Sequence, residues 1–162
     1  AHEHAAVELQ AAAEVAERVE RYWRPYHQAL RGELDDLRAT HGRVVLWEGH
    51  SIRGSELPFL FEGRLPDLNL GTASGASCSP ALQAQLEAVL AAQAGYDWVA
   101  NGRFKGGHIT RHYGAPAKGI DAVQLETSQR TYMDEDRVEY DDEKASRLQP
   151  LLGRLLLATL AP

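Results

Sequence analysis

His50 and Glu126 are the side chains whose surroundings in this 162-residue sequence most suit chemistry. His50 follows the apolar, β-branched run Arg43-Val44-Val45-Leu46-Trp47 and stands where a buried strand opens into a loop, beside Ser51 and three residues before Arg53. An imidazole there can ligate a metal or act as a general base. It can equally be a histidine held by hydrogen bonds at a strand end. Glu126 closes a second apolar run, Val123-Gln124-Leu125-Glu126. A carboxylate at the lip of a sheet, partly withdrawn from water, acquires the raised pKa that suits a general base; the plainer reading is a structural ion pair.

A third feature is the stretch from Asn101 to Gly114, which gathers Arg103, Lys105, His108, Arg111, His112 and Tyr113 on a glycine-bearing backbone. Guanidinium forks recognise carboxylates in bidentate fashion, and glycines let a ligand approach the main chain. The stretch reads as an anion-binding loop, without the Lys-Ser/Thr ending of a phosphate-binding P-loop. Cys78 precedes a helix start, where a thiol can become nucleophilic, although a small buried thiol is the simpler reading. His2 and His4 flank Glu3 in a terminal segment, and His27 and His41 have no second ligand at helical spacing. Tyr22, Trp23 and Tyr26 read as core contacts.

The elements that must position these residues alternate along the chain. From about Ala5 to Thr40 the pattern predicts a long amphipathic helix, kinked or split at Pro25 and stopped at Gly42. Arg43 to Trp47 is a buried strand. Gly49 to Ser79 is rich in Gly, Pro and Ser, with one extended stretch at Asp67 to Leu70. Pro80 to Ala94 is a second helix with Ser79 as N-cap, closed by Gly95. A short strand follows at Tyr96 to Asn101, an extended segment at His108 to Tyr113, and a strand at Ile120 to Leu125. Asp142 to Leu160 forms the last helix, with Leu148, Leu151, Leu152, Leu155, Leu156 and Leu160 on one apolar stripe facing the sheet. This order predicts a three-layer α/β/α domain, with ligands gathered in loops beyond the strand ends.

Composition bounds the function. With 44% hydrophobic and 25% charged residues, the chain reads as one domain over 1–162, a kinked helix at 1–41 followed by sheet, loops and C-terminal helix at 43–162. Seventeen basic against 23 acidic residues, net charge -6, argue against a nucleic-acid binder or a polybasic membrane module. Six basic against five acidic residues between Gly49 and Lys118 leave the loops electropositive on an acidic body. One cysteine excludes an internal disulfide framework and suits a reducing cytoplasm. No apolar run nears the roughly 20 residues of a membrane span, and no signal peptide is visible. The missing initiator methionine suggests a piece of a longer chain.

Tyr22-Trp23-Arg24-Pro25-Tyr26-His27, Gly49-His50-Ser51-Ile52-Arg53, Leu60-Phe61-Glu62-Gly63-Arg64-Leu65-Pro66-Asp67, Gly75-Ala76-Ser77-Cys78, Asn101-Gly102-Arg103-Phe104-Lys105-Gly106-Gly107, Ile109-Thr110-Arg111-His112-Tyr113-Gly114, Gln124-Leu125-Glu126 and Tyr132-Met133-Asp134-Glu135, in this order, closely resemble the N-formylglutamate amidohydrolase (N-formylglutamate deformylase) family. Through its distant relation to zinc carboxypeptidases and succinylglutamate desuccinylases, the resemblance implies a phosphorylase/hydrolase-like α/β fold with a mixed sheet. It also implies metal-dependent hydrolysis of N-formyl-L-glutamate to formate and L-glutamate, in histidine degradation, with a divalent ion, expected to be zinc. His50 matches a metal-binding histidine and Glu126 the carboxylate that activates water. Arg53 is a candidate for oxyanion or carboxylate binding. Arg103, Lys105 and Arg111 are candidates for the two substrate carboxylates, with Asn101 and Tyr113 as neutral partners. Glu48 stands where an aspartate is expected to orient the metal histidine. The family's upstream metal ligands find no match before Tyr22, so the chain is expected to be the N-terminally truncated, C-terminal portion of the domain.

Two alternatives stand beside this reading. One is a related metal-dependent N-acyl amino acid hydrolase or carboxypeptidase-like enzyme. The other is a non-catalytic anion-binding or interaction module. Truncation is also expected to expose sheet edge and apolar surface, and with them self-association.

Overall fold

The computed structural model describes residues 12–54 and 63–160. His2, His4, the expected helix start at Ala5 and the Leu60-Phe61-Glu62 part of the family-like string lie outside the described residues. Residues up to Gly42 and residues from Arg43 onward form two compact units, each described by itself.

The first unit is helical from residue 12 to His41. Pro25 does not split it. A proline has no N–H to donate and its ring crowds the carbonyl four residues back. The chain absorbs this with a π turn at Val19–Trp23, in which the Arg24 N–H reaches the Val19 carbonyl, and then continues as helix α1, Arg24–His41. Gly42, at φ 75°, ends α1 by donating to the Arg38 carbonyl at 2.7 Å, as a left-handed C-terminal glycine should. The expected core role of Tyr22, Trp23 and Tyr26 is corrected here: they are 62%, 47% and 55% exposed. Trp23 and Tyr26 make ring contacts with His27 instead.

The second unit is built on a four-stranded mixed sheet in the order β1-β4-β2-β3. Strand β1 is Val44–Ile52, β2 Leu68–Gly71, β3 Trp98–Ala100 and β4 Ile120–Ser128. β1 runs parallel to β4, β2 antiparallel to β4 and parallel to β3. A small hairpin follows, β5 Met133–Asp134 with β6 Glu139–Tyr140. Helices α2 (Pro80–Ala91), α3 (His108–Tyr113) and α4 (Asp142–Ala158) complete the unit.

The two faces of the sheet differ because side chains alternate along a strand. Leu68, Leu70, Val123 and Leu125 share one face and form the core with Leu82, Leu86 and Leu90 of α2 and Leu148, Leu151 and Leu155 of α4. Each such burial contributes about 1.5–3 kcal/mol. The expected leucine stripe is narrower than predicted, since Leu156 and Leu160 are exposed. Ser79 caps α2 as expected, its hydroxyl accepting from Leu82 N, and the buried Asp121 carboxylate takes the Ser79 N–H at 2.5 Å. On the opposite face, Glu48, His50, Gln124, Glu126 and Asn69 replace the leucines, and α3 packs over β4 and β1 there. The three-layer arrangement is therefore present, with one short helix as its second outer layer.

Two expectations about elements are corrected. His108–Tyr113 is a helix, not an extended segment. Its N-cap, Gly107, has no side chain to cap with, and a carboxylate from another strand supplies the acceptor. Both site strands also run past their expected ends, through His50 to Ile52 and through Glu126 to Ser128, because the parallel β1–β4 ladder continues to the Ile52–Ser128 pair.

Candidate active site

The parallel register of β1 and β4 sets Glu48 opposite Gln124 and His50 opposite Glu126. Spacing of two along each strand sends all four side chains to the same face. β2 adds Asn69, opposite Glu126 on the other side, whose amide donates to the Glu126 carbonyl at 3.2 Å and to the Pro66 carbonyl at 3.0 Å. Backbone pairing alone thus brings His50 and Glu126 together.

Glu126 is buried, and burial pushes its carboxyl above the ordinary range, against the opposing pull of the nearby His50 and of a hydrogen bond from Gln124. That bond runs from Gln124 Nε2 to Glu126 Oε2 at 3.3 Å, while Gln124 Oε1 accepts the Gly107 N–H at 2.6 Å. One amide side chain therefore holds the acid and the start of α3 at once. His50 is half-exposed, with its Nε2 3.3 Å from Glu48 Oε1. The other oxygen of Glu48 accepts from both the backbone N–H and the hydroxyl of Thr110, so Glu48 caps α3 and faces His50 together. The resulting chain runs from α3 through Glu48 to His50.

Of the other expected site residues, Arg103, Lys105 and Arg111 are exposed on the loop and helix beside this face, and Arg111 bonds the Gly106 carbonyl. The structure does not bring Arg53 to the pair as a ready oxyanion group. Its Nη1 donates to the Glu135 carbonyl at 3.1 Å and its Nη2 to Asp136 at 2.6 Å. Asn101 is engaged within the protein: its Oδ1 accepts from Thr72 N and Ser74 N at 2.9 and 3.0 Å, and its Nδ2 donates to Thr72 Oγ1 at 2.8 Å. It secures a turn in which Ala73, Ser74 and Asn101 itself take positive φ. Tyr113 is buried under α3. Gly71 lets the loop close over this face, since a Cβ there would lie 2.6 Å from Gly106 N and 2.7 Å from Lys105 C.

Gln124, Thr110 and Asn69 were not foreseen as site residues. Period-two alternation from Glu126 back to Gln124 was the available signal for the first; nothing local marks the other two. Cys78 is buried and its thiol is pushed up to about 12, chiefly by burial and then by Asp121, which removes it as a nucleophile. A catalytic zinc site takes about three protein ligands and a water. Among the described residues no three His, Cys, Asp or Glu side chains gather as such a set, so these residues do not by themselves fit a bound ion. The apolar cavity of about 400 Å³ reaches His50 but lies on the α4 side of the sheet, lined by Trp47, Leu148, Leu152 and Tyr140, and is the wrong chemistry for a dicarboxylate.

A mixed α/β sheet bearing a buried carboxylate opposite an imidazole, with basic residues on the loop and helix beside them, defines an α/β protein with a candidate acid–base pair. The chain belongs to the N-formylglutamate amidohydrolase family, whose model matches residues 2–133. It is 56% identical over 144 residues to an N-formylglutamate deformylase of Pseudomonas putida, covering 88% of this chain and 54% of that protein. It is 55% identical over 140 residues to one of Pseudomonas aeruginosa, covering 86% and 52%. The crystal structure of N-formylglutamate amidohydrolase from Ralstonia eutropha superposes with a TM-score of 0.77 at 30% identity, over 91% of this chain and 54% of that one. The chain thus spans about half the length of the relatives it matches.

Proposed function

We propose that the protein carrying this chain hydrolyses N-formyl-L-glutamate to formate and L-glutamate, with Glu126 as the general base. The observation that carries the proposal is the buried Glu126 carboxyl, its pKa raised by burial, opposite His50 in a chain of this family. A base with raised pKa takes a proton from the attacking water near neutral pH and returns it, as an acid, to the departing amine. Gln124 holds one oxygen of Glu126 and leaves the other for that transfer. Arg103, Lys105 and Arg111 supply the positive charge for the substrate carboxylates. Arg53 enters only when the exposed Asp136 releases it. Asn101 and Tyr113 shape the loop and helix that carry these cations rather than touch substrate.

His50 with Glu48 behind it suits one ligand of a divalent ion, zinc by imidazole preference, which would supply Lewis acidity. Among the described residues no second and third ligand stand with His50. No described helix is long and apolar enough to cross a membrane; a cytoplasmic location is proposed on the single free, buried thiol. Self-association through the β1 edge and the apolar cavity beside it belongs to the same proposal and is read by sizing chromatography, where a strict monomer counts against it.

Formate release from N-formyl-L-glutamate, compared with the acetyl and succinyl analogues of glutamate and aspartate, tests the main proposal. Selective turnover of the formyl substrate, lost in Glu126→Gln, is the expected result. Undiminished turnover in Glu126→Gln removes the general-base role, and indifference to the side-chain carboxylate removes the role of the basic loop.

A further inference from the structure

We propose that a basic cavity beyond one end of the sheet, separate from the His50–Glu126 pair, binds the phosphate group of a small anion. The cavity has a volume of about 630 Å³ and is lined by Arg64, Arg130, Lys144 and Arg147, with Tyr96 and a single carboxylate, Asp67. Arg64 comes from the segment before β2, and Arg130 from the turn Gln129–Thr131 after β4. Because β2 runs antiparallel to β4, the start of one lies beside the end of the other, and the two guanidinium groups meet there. Lys144 and Arg147 are three apart near the start of α4, so they share one side of that helix. Tyr96 precedes β3, which runs parallel to β2 and so begins at the same end. None of the residues assigned to the acid–base face lines this cavity.

Arg130 is the fixed member of the four. Its Nη2 donates to the Leu65 carbonyl at 2.7 Å and to Asp67 at 2.6 Å, and its buried Nε has no hydrogen-bond partner among the described residues. The other three cations stand in contacts longer than the roughly 2.7–2.9 Å of a good charge-assisted bond. Arg64 lies 3.2 Å from Asp67, Arg147 3.1 Å from Glu143, and Lys144 3.6 Å from Asp141, while Lys144 also donates to the Met133 carbonyl at 3.0 Å. Asp97, largely exposed, adds contacts of 3.5 and 3.9 Å to Arg64 and Arg130. Glu143 is 82% exposed. Pairs held this loosely at the surface contribute little to stability and give way to a doubly charged ligand. Burial pushes the Tyr96 phenol above its ordinary range, against the pull of Arg147, so it remains a hydroxyl donor at neutral pH.

The arrangement of donors selects the ligand. A carboxylate presents two oxygens in one plane, which suits a single guanidinium fork, whereas a phosphate group offers three oxygens that accept from several directions. Donors reaching the cavity from the ends of β2 and β4, from α4 and from the start of β3 match the second pattern. The volume falls within the roughly 300–1,000 Å³ of small-molecule sites, which leaves room for an organic group attached to the phosphate. A bound phosphate ties α4 to the ends of β2 and β4.

The test titrates the chain with sodium phosphate and with glycerol 3-phosphate by calorimetry near neutral pH, sodium chloride holding the ionic strength constant. The expected result is one saturable site whose occupation raises the melting temperature. Arg147→Gln and Lys144→Gln should each weaken it at least about tenfold, the loss expected for one charge-assisted hydrogen bond, while Arg103→Gln and Lys105→Gln leave it unchanged. Arg147 is exposed, so its variant keeps the fold, and Arg64→Gln supplies a second comparison at another exposed cation. Tighter binding of the ester than of phosphate identifies a phosphorylated small molecule as the ligand, and the reverse order identifies free phosphate. Absence of saturable binding, full affinity in the folded Arg147→Gln and Arg64→Gln variants, or loss of binding in Arg103→Gln and Lys105→Gln would each overturn the proposal.

Discussion

Replacing Glu126 by glutamine should make the folded chain more stable at neutral pH while removing the carboxylate proposed as the base. Glu126 is buried, and burial raises its pKa above the value it has in the unfolded chain. The folded state therefore holds the proton to higher pH than the unfolded state does. Stability falls as pH rises through the interval between the two values and is fully lowered above the folded one. Glutamine keeps the shape, accepts from Gln124 Nε2 in the same way, and carries no charge to desolvate. The gain is about 1 kcal/mol, on the scale of relief at strained functional sites, which for a chain of this size raises Tm by roughly 2–4 °C. As pH falls below about 4, where Glu126 becomes protonated in the folded and the unfolded chain alike, the difference should narrow. Thermal melts of the two proteins at pH 4, 5.5, 7 and 8 read this directly. A variant equally or less stable than the parent at pH 7, or a difference that does not depend on pH, would refute the idea that burial dominates the environment of Glu126.

Three further outcomes follow from the same contacts. Glu48→Ala leaves the Thr110 N–H and hydroxyl without their acceptor, costing about 1–3 kcal/mol in chemical denaturation, and Glu48→Gln, which still accepts, should lose less than half of that. Gly71→Ala drives a Cβ to within 2.6 Å of Gly106 N, so backbone must shift; a loss of about 1–3 kcal/mol is expected, and an unchanged melting temperature would show that the loop over this face yields freely. Cys78, buried and pushed up to about 12, should resist iodoacetamide at pH 8 in the folded chain and react promptly in denaturant.

The parts of this fold that could be read from sequence are those whose causes are local. Ser79 before Pro80 announces α2 because capping and a fixed proline φ act within one turn, and Gly42 closes α1 for the same kind of reason. His50 and Glu126 could be singled out because each ends an apolar run, and their resemblance to the family strings named them before their pairing was known. The misread elements have distant causes. α3 contains Ile109 and Thr110, β-branched residues that locally favour strand. It is helical because Glu48, 62 residues away, takes its N-terminal donors. The π turn at Val19–Trp23 answers a clash four residues long, and propensity sums over a window do not register it. Asn101 looked available to substrate because its sequence neighbours are basic, whereas its amide is committed to a turn 29 residues earlier.

Period two is what joins fold to site. Along β4 the order Val123, Gln124, Leu125, Glu126 sends alternate residues to the leucine core and to the face that carries Glu126 and His50. A one-residue shift of β4 against β1 would put Glu126 among the leucines of α2 and α4 and expose Leu125 to the basic loop. Leu68 and Leu70 opposing Thr127 and Leu125, with Asn69 between them opposing Glu126, resist such a shift from the other side of the strand. The hydrophobic face therefore fixes the register on which the His50–Glu126 pairing depends, and a core truncation such as Leu70→Ala should disturb Glu126 through register even though the two side chains lie on opposite faces.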